Sequence, residues 1–135
     1  MFSVAKLIEA LSFSMKFPWP LWVAMLMALN MVGPLFFIHT LEAKVVLGST
    51  LAGAMLMMII FCRYGFVRLM GLGHIFWMPV VIWLGTHTSE MVLDTPFGVW
   101  LVLIMVFNTL SIVLDSIDVM RYFNGDRKPI VPIEV

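Results

Sequence analysis

Four long apolar runs, at about 19–38, 45–62, 66–85 and 97–119, make up most of this chain, with only short polar turns between them. At about 1.5 Å per helical residue, each run comes close to or exceeds the roughly 30 Å hydrocarbon thickness of a bilayer. The rest of the composition agrees with lipid as the solvent. Charged residues are 12% of the chain, about half the roughly 25% of a soluble domain. The expected fold is an all-α membrane protein: one polytopic domain over 1–135 built as a four-transmembrane-helix bundle.

The ends of the chain read differently from its middle. Val4, Leu7, Ile8, Leu11 and Met15 recur at helical spacing, with Lys6, Glu9 and Ser12 on other faces. That pattern predicts a short interfacial amphipathic helix over about 3–15. A cleavable signal is the rival, but the apolar run that follows is too long and lacks a small-residue cleavage site, so retention is expected. The tail, 120–135, is proline-bearing and expected to be extended. Cys62 is alone, which excludes an intramolecular disulfide and a CxxC redox pair. The zero net charge and lack of a basic patch give no sign of nucleic-acid binding.

Orientation follows from the cations. With four spans the two termini share a side, and that side carries Lys6, Lys16, Arg63, Arg68, Arg121, Arg127 and Lys128, against Lys44 alone on the other. The positive-inside rule then puts both termini and the 2–3 turn in the cytoplasm of a plasma or inner membrane. So strong a bias also argues against a dual-topology multidrug exporter.

Two constellations carry candidate chemistry. On the fourth run Asn108, Ser111, Asp115 and Asp118 are spaced three, four and three, so they share one helical face. His74 on the third run reaches about the depth of Ser111, and Asn30 on the first about that of Asn108. Ionisable groups at such depth cost roughly 2.5–3.5 kcal/mol on insertion scales, so they are expected to face inward and meet: His74 with Ser111 or Asp115, Asn30 with Asn108. The stripe is either a proton or cation relay with Asp115 and His74 titrating, or hydrogen-bonded fastening with the aspartates paired to Arg63, Arg68 or Arg121.

The second constellation is outer. Pro34 is followed by His39-Thr40-Leu41-Glu42 and Pro79 by His87-Thr88-Ser89-Glu90, a weak internal repeat. His39, Glu42, His87 and Glu90, with Asp94, are imidazole and carboxylate groups able to hold a divalent metal at the outer face. His39 and His87 are also candidate axial ligands of a haem. The plain alternative is that loop ends are polar because they meet water.

Three functions fit. The leading one is a small non-enzymatic accessory or assembly subunit, whose apolar and small-residue faces bind a membrane-protein partner or a second copy. The next is an oligomeric ion- or proton-coupled transporter using the stripe, and the third a metal- or haem-binding protein using the outer cluster. No Ser-His-Asp arrangement, P-loop or dinucleotide fingerprint is present, which leans away from an enzyme. The charge count makes one test immediate. A reporter fused after Val135 should be cytoplasmic and one inserted near Thr95 exported; a cytoplasmic signal at Thr95 would overturn the orientation.

Overall fold

The computed structural model describes residues 5–6, 19–86, 89 and 91–129. Most of the expected interfacial helix and the last six residues of the tail lie outside these, as do His87, Thr88 and Glu90. The described residues are all-helical: α1 (Trp19–Phe36), α2 (Leu41–Tyr64), α3 (Arg68–Leu84) and α4 (Pro96–Phe123). α1, α2 and α4 are long and apolar enough to cross a membrane, and α3 is a shorter apolar helix.

The helix ends follow from local sequence. Thr40 caps α2, its Oγ1 accepting from the Ala43 N–H at 3.3 Å. Thr95 caps α4 in the same way, accepting from Gly98 N–H at 3.0 Å. Pro96 then fills the first helical position, where its missing N–H costs nothing. α4 stops at the Asn124-Gly125 turn, where the Asn124 N–H reaches Met120 O at 3.0 Å.

The third run does not form one regular α-helix. Arg68–Phe76 is a 3-10 helix and Trp77–Leu84 is α-helical. The change of winding places Pro79 in the first turn of the α segment, where proline is tolerated, rather than in a helix interior. Long 3-10 stretches are uncommon, and here tertiary packing accounts for one. The 3-10 segment lies between α2 and α4 at very short range: a Cβ built on Gly53 of α2 would fall 2.2 Å from Gly73 O. Two backbones touch at this crossing, and neither side has room for a side chain. Gly48, also on α2, has nothing within 4 Å of such a Cβ.

Two apolar cores occupy the two ends of the bundle. Ile60, Phe61, Phe66, Val67, Met70 and Tyr122 form one, and Ala43, Val46, Val80, Leu84, Trp100, Leu101 and Ile104 the other. Between them runs a layer of polar side chains. The crossing generates a test with opposite signs. Gly53→Ala should lower the melting temperature of the purified protein, by an overpacking cost of about 1–3 kcal/mol. Gly48→Ala should leave it unchanged or raise it, since alanine favours helix by up to about 1 kcal/mol. Equal shifts would remove the crossing.

Candidate functional site

The polar layer begins in α1. Pro34 has no N–H to offer the preceding turn, and the chain widens into a π-turn over Ala28–Val32, a common response to an interrupted ladder. The Gly33 N–H reaches back to Ala28 O, which leaves Leu29 O without its usual helical donor. Trp100 Nε1 of α4 donates to that oxygen at 2.9 Å. Gly33 makes the approach possible, since a Cβ there would lie 2.4 Å from Trp100 Nε1. The wide turn also points Asn30 inward. Its Nδ2 donates to Leu26 O and to Asn108 Oδ1, both at 2.9 Å. Asn108 Nδ2 donates back to Asn30 Oδ1 at 2.8 Å. Both amides are fully buried, and together they fasten α1 to α4.

About two helical turns beyond Asn108, the layer becomes ionisable. Thr50 Oγ1 donates to Val46 O at 2.8 Å and accepts from Trp77 Nε1 at 3.2 Å. The Trp77 indole in turn supports the His74 imidazole, stacked with centroids 4.1 Å apart and planes 10° from parallel. His74 Nδ1 meets Asp115 Oδ2 in a short contact, and Ser111 Oγ donates to the same oxygen at 3.3 Å. No described residue bonds to Asp115 Oδ1 or to His74 Nε2. Gly71 lets α3 come this close: its Cβ would sit 3.0 Å from Asp115 Cβ.

A second group of charges lies one turn nearer the end of α4. Arg68 donates to Asp118 Oδ1 at 2.5 Å and to Asp126 Oδ2 at 3.1 Å. Arg121 also donates to Asp126 Oδ2, at 2.8 Å. Two guanidiniums thus face two carboxylates, and the group is balanced within itself. Asp115 is outside it, with the His74 imidazole as its partner.

Two cavities reach the His74–Asp115 pair. The larger, about 510 Å³, opens between α1, α3 and α4, and its walls include Trp19, Trp22, Leu26, Arg68, Asp118 and Arg121. The smaller, about 260 Å³, lies between α3 and α4 on another face. Gly71, His74 and Asp115 line both. The pair is therefore a partition with a space on each side.

The structure thus brings together Asn30 with Asn108, and His74 with Ser111 and Asp115, and gives Asp118 to Arg68. The outer cluster is only partly described. His39 and Asp94 are exposed, and Glu42 stands in the first turn of α2, where a carboxylate suits the helix dipole. Thr40 of the same motif is a helix cap. His87 and Glu90 lie outside the described residues, and among the described ones no three His, Cys, Asp or Glu gather as a metal site. The sequence reading missed Trp77, Thr50, Trp100 and Asp126. The i, i+3 spacing of His74 and Trp77 was a usable signal, whereas the reach of Arg68 to Asp126 beyond α4 had none.

A double-mutant cycle tests the amide pair. Asn30→Ala and Asn108→Ala should each destabilise by about 1–3 kcal/mol, because each leaves a buried amide unpaired. The double variant should cost less than the sum, with a coupling of about 0.6–2 kcal/mol; additivity within about 0.3 kcal/mol would refute the pairing. Comparison with protein-family models, curated proteins and solved structures finds no match for this chain, so its chemistry has to be read from its own residues.

Proposed function

We propose that this chain is an integral membrane carrier, crossing the bilayer four times with both termini in the cytoplasm, that moves protons through the His74–Asp115 pair. The observation behind this reading is the choice of partner for Asp115. Where the bundle needs fastening, it uses two asparagines, whose amides satisfy each other. Where it holds fixed charge, it uses arginine, which stays protonated. At Asp115 it uses neither. Imidazole and carboxylate are both groups that can take up and release a proton, and fastening alone does not require that. The larger cavity, walled in part by Arg68, Asp118 and Arg121, gives a proton a polar approach to the pair.

Four crossings fit the geometry of α3. Nine residues at the 3-10 rise of about 2.0 Å and eight at about 1.5 Å give about 30 Å, the thickness of the hydrocarbon core. The extra rise of the 3-10 winding supports a fourth crossing by this shorter helix. On this orientation Arg68, Asp118 and Arg121 stand at the cytoplasmic surface, with Asp115 about one turn inside. The accessory-subunit reading ranks second. Its support is exposed apolar side chains such as Ile82 and Leu35, which lipid covers as readily as a partner does.

Proteoliposomes with a trapped pH dye test the proposal. Wild type should pass protons down an imposed gradient under a clamped potential. Asp115→Asn, which keeps an acceptor for Ser111 and His74, should reduce the flux about tenfold or more at an unchanged melting temperature. Asp115→Leu should instead lower the melting temperature. Flux through Asp115→Asn equal to wild type, or none from folded wild type above empty vesicles, would reject the carrier.

A further inference from the structure

The two cavities that share the His74–Asp115 partition differ in chemistry. The larger one carries the balanced arginine and aspartate group. Apart from the pair, Gly71 and Ser116, the smaller one is walled by apolar side chains: Leu72, Ile75, Met78, Ile112, Val119 and Met120. Ile75, Met78 and Met120 are among the exposed hydrophobic residues of the bundle, so this groove opens sideways, toward the surface that lipid covers. Asp115 lies in its wall beside His74, and its Oδ1 has no bonding partner among the described residues.

We infer that the groove between α3 and α4 binds a lipophilic organic cation, taken in from the bilayer and exchanged for the proton of the pair. The inference rests on the carrier reading above and gives it a substrate class. Charge balance supports it. With its shared proton, on either partner, the His74–Asp115 pair is neutral; without it, the pair carries one negative charge. The other charges facing this region, Arg68 and Asp118 at the α3–α4 contact, Arg121 on α4 and Asp126 beyond it, cancel among themselves, and α1 and α2 contribute only uncharged residues such as Trp22 and Met57 to the cavity walls. A net charge in so apolar a setting is costly. A monovalent cation entering beside Asp115 therefore expels one proton, and one returning proton expels the cation. No bond to carbon forms or breaks. The imidazole or carboxyl proton leaves toward the larger cavity, and the cation pairs with the carboxylate.

Size and lining agree. A cavity of about 150 Å³ holds benzene, so about 260 Å³ holds a ring bearing a small ammonium group. Methionines such as Met78 and Met120 are flexible and polarisable, and they adapt to varied apolar bodies. Simple inorganic ions are poor candidates on this side, since apart from the pair and Ser116 the groove offers them no oxygen ligands from side chains.

The test uses benzyltrimethylammonium as the probe and neopentylbenzene as its uncharged isostere, with purified full-length protein in a weakly buffered solution containing a pH dye. Binding of the cation should release one proton per molecule bound, and neopentylbenzene should release none. Asp115→Asn should weaken cation binding by about tenfold or more with no proton release. Ser116→Trp, which fills the groove from α4, should abolish binding at an unchanged melting temperature. Cation binding without proton release, equal release by the uncharged isostere, or undiminished binding in Ser116→Trp would each overturn the inference. If the cation does not bind while proteoliposomes still pass protons through Asp115, the inference fails and the carrier stands. If neither is seen, both fail.

Discussion

Polar groups in the middle of an apolar bundle have to be satisfied by one another, and this constraint organises the protein. An unmet buried amide or carbonyl costs about 1–3 kcal/mol, and the Asn30 and Asn108 amides are fully buried. The π-turn of α1 frees a carbonyl, and the Trp100 indole of the opposite helix takes it. Asn30 and Asn108 use each other's donors and acceptors. Trp77 hands its N–H to Thr50, which has already given its own hydrogen to Val46. No buried side-chain nitrogen or oxygen among the described residues is left without a partner.

Close backbone approach is what makes this layer possible. α3 can bring His74 to α4 only because Gly73 lets it lie on Gly53 of α2, while Gly71 lets it lie on Asp115. The two glycines serve opposite sides of one segment. The 3-10 winding between them sets which way each points, and it sets His74 on Trp77 as well. Packing, winding and polar contacts are thus solved together, and displacing α3 at the Gly53 crossing moves His74 against Asp115.

The charges divide by degree of commitment. Arg68, Asp118, Asp126 and Arg121 form a closed group at the end of the bundle, where long flexible side chains reach water and hold the last turn of α4 to α3. His74 and Asp115 form a pair held by the stacking of His74 on Trp77 and by Ser111, and both line two cavities. Neighbouring turns of one helix face therefore have different partners: Asp118 is paired with arginine and Asp115 with an imidazole.

The sequence by itself determined the all-helical class, helices long and apolar enough to cross a membrane, and the inward face of α4, because hydrophobic run length and the 3.6-residue period are local properties of a chain. The spacing of Asn108, Ser111 and Asp115 already predicted that His74 and Asn30 would find partners there. Tertiary structure alone decided the partners of Asp115 and Asp118, which the sequence left open among several cations. It also decided the 3-10 winding of Arg68–Phe76, since the pattern 66–85 suits an ordinary helix and only the crossing with α2 favours the narrower one. The larger cavity could not be read either, because its walls come from residues as far apart as Trp19 and Arg121. Distances between side chains on different helices depend on how the backbones cross, and in this bundle the close approaches fall at Gly33, Gly53, Gly71 and Gly73. Small residues four apart on the second run already point to such an approach at Gly53, whereas the other three lie in no such pattern.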